Sequence, residues 1–171
     1  WWARSALERS EAMHEVANDL LTMKGRLAEA LTREMGKPYK ESADEVDWSV
    51  SAIRYYAEIG RSDTGRMMGP AVAGHINYTT KEPLGVVVSI QPFNYPMTLL
   101  AWQASAALAC GNAVIAKPSQ YTSFTTLIFA ESFNRHLPKG LFQVLTGAAD
   151  AGRLLVEHKR TNMVAFTGGV P

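Results

Sequence analysis

Apolar positions between residues 82 and 118 predict a strand, a helix and a second strand. Continuous apolar runs at 85–90 and 112–116 flank a segment of small residues, which is the pattern of a parallel β-α-β unit. Ligands of such units bind beyond the carboxyl ends of the strands. Asn94 and Lys117 follow the two runs, so both are expected at that edge of the sheet.

The segment before this unit is predicted to be helical. Apolar residues recur at helical spacing up to Gly36, after an S-x-x-E capping box that begins at Ser5, and the pattern is that of one long amphipathic helix. A second S-x-x-E signal at Ser42 predicts the start of another helix, and Gly60 and Gly65 are expected to end it. Both apolar stripes are interpreted as packing surfaces.

The remaining segments predict an α/β protein. Glycines and small residues at 61–74 predict a loop, and the alternation at 75–81 predicts an edge strand that pairs within the protein or with a second subunit. After residue 118, helices are predicted at 122–135 and 149–157, and strands at 141–145 and 163–166. The fold class is therefore predicted as N-terminal helices followed by a Rossmann-like, doubly wound parallel sheet.

Charge and cysteine content exclude several classes of protein. The 17 basic and 16 acidic residues form no basic cluster, which disfavours a nucleic-acid partner. A single cysteine excludes an internal disulfide framework and favours a reducing compartment. The sequence shows neither a basic leader with an apolar segment nor an apolar run long enough to span a bilayer. We therefore expect no membrane partner and a cytoplasmic location. The four histidines lack metal-ligand spacing, and no metal site is predicted.

Two polar residues at the predicted edge could carry chemistry. Asn94 lies between Pro92 and Pro96, and prolines stiffen the turn, so its amide could stabilise an oxyanion. The alternative is that Asn94 caps the next helix. Lys117 could bind a ribose hydroxyl or a phosphate, or could simply be solvated.

Glycines after the later strands could let backbone amides approach a pyrophosphate. Thr167, Gly168 and Gly169 follow one strand, and Gly147 and Gly152 bracket the start of a helix. The sequence contains neither the dinucleotide-binding fingerprint G-x-G-x-x-G nor a P-loop. These residues could therefore equally be turn glycines. Cys110 ends an alanine-rich helix and is interpreted as a buried structural cysteine.

Four motifs together resemble the aldehyde dehydrogenase superfamily. They are EPLGVVVSIQPFNYP, ALACGNAVIAKPS, HLPKGLFQVLTG and VAFTGG. The resemblance is close over 82–169 and looser over 1–60. It implies N-terminal helices at 1–60 that pack on the cofactor domain, a loop and oligomerisation strand at 61–81, and an incomplete NAD(P)-binding domain at 82–171.

The resemblance also implies roles for individual residues. Asn94 matches the oxyanion-stabilising amide, and Lys117 matches the lysine that binds the adenosine ribose. The residues implied to contact the cofactor are Ile90, Pro92, Phe93, Asn94, Lys117, Ser119, Gln120, Gly152, Thr167, Gly168 and Gly169. Gly169 stands where the family usually has serine, so only backbone contacts are available there.

Gln120 stands where many NAD-preferring members have glutamate. A carboxylate accepts hydrogen bonds from a ribose 2′-hydroxyl and repels a 2′-phosphate, whereas neutral glutamine does not repel it. The expected cofactor is therefore NADP or NAD. The hypothesis is that NADP is tolerated, and the neutral side chain is compatible with a preference for it.

The resemblance implies NAD(P)-dependent oxidation of an aldehyde to a carboxylic acid through a cysteine thiohemiacetal. The nucleophilic cysteine and general-base glutamate of the family lie beyond the F-T-G-S motif, so we expect this chain to be the N-terminal portion of a homodimeric or homotetrameric enzyme and inactive alone. Two alternatives stay open: a CoA-acylating aldehyde dehydrogenase, and a nucleotide-binding or oligomerising module without catalysis.

Overall fold

The structure is a computed structural model that describes residues 1–62 and 65–169. Predicted features of Asp63, Thr64, Val170 and Pro171 lie outside the described residues. The elements in chain order are α1 (Ala6–Thr22), α2 (Lys24–Met35), α3 (Tyr39–Ser62), β1 (Met67–Met68), β2 (Asn77–Tyr78), β3 (Val86–Ile90), α4 (Pro96–Ala109), β4 (Ala113–Lys117), α5 (Ser123–His136), β5 (Phe142–Val144), α6 (Ala149–Glu157) and β6 (Met163–Phe166).

The larger sheet is parallel, and its strand order is β5-β4-β3-β6. The chain moves outward from β3 through β4 to β5 and then returns to the other side of β3 for β6. Because parallel crossovers are right-handed, this reversal places α4 and α5 on one face of the sheet and α6 on the other. The predicted α/β class with a doubly wound parallel sheet is confirmed.

The hydrophobic core lies between the sheet and the helices of the α4 and α5 face. Val87, Val114 and Phe142 are in register and buried, and the ring of Phe142 stacks on Phe133 of α5 at 4.3 Å. Helix α3 packs against α4, and α1 and α2 pack against α5. Buried side chains of the N-terminal helices belong to the same core. The division of the chain at residues 60 and 81 stays a prediction.

The first helical segment is two helices rather than one. The Ser5 capping box is confirmed, since Ser5 Oγ accepts from the Glu8 amide and Glu8 accepts from Ser5. The chain leaves helical geometry at Met23, which ends α1. Thr22 Oγ1 donates to the carbonyl of Asp19 at 2.7 Å, and such back-bonding competes with the helical hydrogen bond. The apolar periodicity continues through the break, so the prediction of one helix was wrong.

Helix α3 begins before the second predicted capping box. Its first residue is Tyr39, and the Ser42 amide already donates to the carbonyl of Pro38 at 3.0 Å. Ser42 is buried, and its hydroxyl bonds to Thr32 of α2 at 2.8 Å. Ser42 therefore joins two helices, and its prediction as a helix start was wrong.

The predicted edge strand at 75–81 is much shorter in the structure. Only Asn77–Tyr78 is a strand, and it pairs antiparallel with Met67–Met68. That partner lies in the segment predicted as loop. Met67, Met68 and Tyr78 are exposed and Asn77 is only half-buried, so a local hairpin forms with little apolar burial to signal it in the sequence. The helices of the described residues are too short or too polar to span a bilayer.

Candidate functional site

Three neighbouring strands end side by side at the carboxyl edge of the sheet. Ile90 of β3 is in register with Lys117 of β4 and with Phe166 of β6. The Gln91 amide donates to the Lys117 carbonyl, and the Thr167 amide donates to the Ile90 carbonyl, each at 3.1 Å. The loops after β3, β4 and β6 therefore start from fixed points at one edge, where ligands of such sheets bind.

Asn94 lies in the turn between β3 and α4, beyond this edge, and its side chain is exposed. Helix α4 has Tyr95 as its N-cap residue and no side-chain cap, so the interpretation of Asn94 as a helix cap is wrong. Its amide makes no hydrogen bond to another residue within the described part of the chain. The Asn94 side chain is thus presented to solvent by a turn braced by Pro92 and Pro96.

Lys117 is buried, with only 8% of its surface exposed. Burial lowers the pKa of its ammonium group, because the charged form loses hydration. Within residues 1–62 and 65–169 its ammonium group has no hydrogen-bond or ion-pair partner. A lysine whose side chain is buried and whose ammonium group has no anion in the described residues is suited to bind a phosphate or a hydroxyl-rich ligand. The alternative that the ammonium group is simply solvated stays open.

Gly152 of α6 lies beside Lys117. A β-carbon at Gly152 would sit 3.9 Å from Lys117 Cε and would meet no closer atom. Helix α6 follows Gly147, whose φ of 151° favours glycine, and its N-cap residue Ala148 provides no side-chain cap. The free first turn of α6 and the Lys117 ammonium thus lie on the same face of the sheet, and both attract negative charge.

Thr167 is held by a polar network on the opposite face of the sheet. Gln103 of α4 donates to Thr167 Oγ1 at 2.7 Å, and its carbonyl oxygen accepts from Ser89 at 2.8 Å and from Gln91 at 2.9 Å. Gln91 is buried, and its Oε1 has no hydrogen-bond partner in the part of the chain that the structure describes. This network fixes the start of the loop that contains Gly168 and Gly169. Both glycines are exposed, with no left-handed φ at either.

The other predicted cofactor residues line the rim of the same edge. The rings of Phe93 and Tyr121 pack in a T-shaped arrangement with their centroids 6.2 Å apart, which joins the loops after β3 and β4. Ser119 Oγ accepts from the Tyr121 amide at 3.3 Å, and Gln120 is exposed beside it. The structure therefore places the predicted residues along one edge, while their contacts with a cofactor stay predictions.

Sequence analysis missed Lys37 and Glu45, which contact the Asn94 turn. Glu45 is fully buried and Lys37 nearly so, and the two form an ion pair. Glu45 Oε1 accepts from the Met97 and Thr98 amides in the first turn of α4. One signal was available: Glu45 falls on the buried stripe of α3, four residues before Ser49, where a charge is unusual.

The interpretation of Cys110 as buried was also wrong. Cys110 follows α4 and is exposed, because the chain turns at Gly111 with a φ of 87° and leaves the helix surface there. It lines a cavity of about 870 Å³ at the carboxyl end of α4, together with Trp2, Arg9 and Trp102. This cavity is separate from the carboxyl edge that contains Lys117.

Comparison with known proteins identifies the relatives of this chain. The chain is 38% identical to 4-trimethylaminobutyraldehyde dehydrogenase A of Danio rerio over 172 aligned positions, which cover all of this chain and 34% of that protein. The human 4-trimethylaminobutyraldehyde dehydrogenase is 36% identical, with 35% covered. The chain thus spans about a third of the length of the curated relatives it matches.

Solved structures share the same fold. Betaine aldehyde dehydrogenase of Staphylococcus aureus, in complex with NAD+, aligns with a TM-score of 0.95 and 31% identity over 99% of this chain and 34% of that one. An NADP-dependent enzyme of E. coli aligns with a TM-score of 0.92 and 31% identity over 96% of this chain and 34% of that one. The family model described as "Aldehyde dehydrogenase family" matches residues 1–171. The chain belongs to the aldehyde dehydrogenase family.

Proposed function

We propose that this chain is the cofactor-binding portion of an NAD(P)-dependent aldehyde dehydrogenase that oxidises an aldehyde to a carboxylic acid. The observation that carries the proposal is the buried Lys117 ammonium, which has no partner in the described residues and lies beside Gly152 at the carboxyl edge. Asn94 lies beyond the same edge. The family assignment and the relatives with bound NAD+ support this reading.

The residues of the edge fit a dinucleotide. The Lys117 ammonium would bind the adenosine ribose or its 2′-phosphate, and the first turn of α6 and the loop at 167–169 would offer backbone amides to the pyrophosphate. When bound, the cofactor supplies the acceptor for the hydride of the aldehyde. The exposed Asn94 amide would donate to the carbonyl oxygen of the substrate as negative charge develops there.

Calorimetric titration of the 171-residue chain with NADP+ and with NAD+ tests this proposal. We expect saturable binding of at least one cofactor by the chain, and aldehyde-dependent reduction of that cofactor only by a full-length protein that carries it. Absence of binding to both cofactors would contradict the proposed function, because the site proposed for them is built from residues of this chain.

Lys117→Met is expected to weaken cofactor binding about tenfold and to raise the free energy of unfolding by about 1 kcal/mol at neutral pH. The pKa of Lys117 is lowered by burial, so the unfolded state binds its proton more tightly than the folded state does. Stability should therefore rise with pH as pH approaches the ordinary lysine pKa of about 10.4. The variant should lack this rise.

The matched control for Lys117→Met is Lys139→Met, because Lys139 is exposed. Titration calorimetry and chemical denaturation over an alkaline pH series measure both effects. If Lys117→Met changes neither the affinity for the cofactor nor the free energy of unfolding, the ammonium group does not bind the cofactor and its burial does not destabilise the fold.

Gln120→Glu tests the expected preference for NADP. The exposed Gln120 follows Lys117 by three residues, and a carboxylate there would repel a 2′-phosphate by about 1–4 kcal/mol at close range. We expect the variant to bind NADP+ about tenfold more weakly while its affinity for NAD+ is retained. The neutral variant Gln120→Leu should keep the wild-type ratio of affinities. Equal wild-type affinity for both cofactors would remove the preference.

We also propose a cytoplasmic homo-oligomer, a dimer or tetramer, for the full-length protein. The hairpin of β1 and β2 supports this proposal, because Met67, Ile76 and Tyr78 are largely exposed there and short unpaired strand edges can pair with a second copy. Light scattering of the full-length protein measures its mass directly, and a monomer would contradict the proposal.

A further inference from the structure

A buried ion pair joins the N-terminal helices to the turn that contains Asn94. Glu45 of α3 is 0% exposed and Lys37, just before α3, is 6% exposed; the ammonium of Lys37 bonds to Glu45 Oε2. Desolvating two charges opposes folding, and an apolar pair of similar volume is often as stable. Stability alone therefore does not account for a buried ion pair at this position.

Within the described residues, the hydrogen bonds from the two charged groups to the rest of the protein fall on the Asn94 turn and on the first turn of α4. Lys37 donates to the backbone carbonyl of Asn94 at 2.9 Å, and its ammonium lies 4.0 Å from the ring centroid of Tyr95. Glu45 Oε1 accepts from the amides of Met97 at 2.9 Å and Thr98 at 3.3 Å. The peptide groups on both sides of Pro96 are thus bound to the same two charges.

We infer that Lys37 and Glu45 are positioning residues for the Asn94 side chain. Prolines restrict their own φ and the residue before them, but they do not fix the turn relative to α3. The ion pair does so, because it binds the Asn94 carbonyl and the first turn of α4 to α3. The inference rests on the proposed role of Asn94 as a donor to the substrate oxygen, and neither charge touches the substrate.

The ion pair should affect the rate of the chemical step rather than substrate binding. A donor that is well aimed stabilises charge that exists only in the transition state, so loss of its alignment lowers kcat and leaves KM unchanged. A residue needed only for folding would instead lower the amount of active enzyme.

The first test uses the 171-residue chain and does not depend on catalysis. Lys37→Met removes the cation, and Lys37→Met combined with Glu45→Gln removes both charges while an amide oxygen remains to accept from α4, so the double variant avoids a buried unpaired carboxylate. We expect the nitrogen-15 order parameter of the Asn94 backbone amide to fall from about 0.85 to below about 0.6 in both variants. Lys24→Met, which breaks the half-exposed pair with Asp47, is the matched control.

The second test measures kinetics in a full-length protein that carries the chain. We expect the double variant to lower kcat about tenfold with KM unchanged, and to have no further effect in an Asn94→Ala background. Wild-type order parameters at Asn94 in the double variant, or an equal loss of kcat in both backgrounds, would overturn the inference. A wild-type protein without aldehyde oxidation would instead contradict the proposed function, and the order parameters would still decide the positioning role.

Discussion

Asn94→Ala is expected to lower kcat of a full-length protein that carries this chain by about 100- to 1000-fold, because one oxyanion donor contributes about 3 kcal/mol to the transition state. The Asn94 amide is exposed beyond the carboxyl edge and is not used as a helix cap. It is therefore available to a substrate. The KM for the aldehyde should change little, since the ground-state carbonyl carries little of the charge that develops later.

Steady-state kinetics with a matched control measure this effect. Asn134→Ala changes an exposed asparagine on α5, far along the chain from the turn, and should retain wild-type kcat. Calorimetry on the 171-residue chain should show that Asn94→Ala binds the cofactor as the wild type does. A kcat equal to that of the wild type would contradict the assignment of Asn94 as the donor.

Glu45→Ala is expected to lower the free energy of unfolding by about 3–5 kcal/mol. The variant leaves the buried Lys37 ammonium without its carboxylate partner, and it deprives the Met97 and Thr98 amides of their acceptor. Each of these groups is desolvated in the folded state, so water cannot compensate fully.

Chemical denaturation of the chain measures this loss against a carboxylate with a similar task. Glu34 accepts from the Phe124 and Thr125 amides at 2.6 and 2.9 Å in the first turn of α5. It is only half-buried, and none of the described residues forms an ion pair with it. Glu34→Ala should cost about 1 kcal/mol, as the loss of a helix cap does. Equal losses in the two variants would show that the buried charge of Lys37 contributes nothing.

Local patterns predicted the part of the fold whose signals are local. The apolar runs that became β3 and β4 are bounded by glycine and proline, and the Ser5 capping box depends on residues three positions apart. Parallel pairing then followed from the helix between the two strands. Because the carboxyl ends of parallel strands meet at one edge of a sheet, the sequence also predicted the edge that contains Asn94 and Lys117.

Features that depend on distant residues could not be predicted in this way. Glu45 caps a helix more than fifty positions away, and the α1–α2 break at Met23 leaves the apolar period intact. The burial of Lys117 depends on the sheet and on α6, which come together only in the folded protein. Only Glu45 gave a local sign of its long-range contacts, because it is a charged residue on the buried stripe of a helix.

Nitrogen-15 correlation spectra of the chain, recorded during titration with NADP+ and NAD+, test most directly whether the carboxyl edge binds a dinucleotide. We expect the largest shifts at the amides of the non-proline residues in 90–95, 117–120, 147–152 and 167–169, and we expect Lys117→Met to weaken these shifts. Shifts confined to the opposite edge, near Gly85 and Asn112, or the absence of any saturable shift, would contradict the assignment of this edge as the cofactor site.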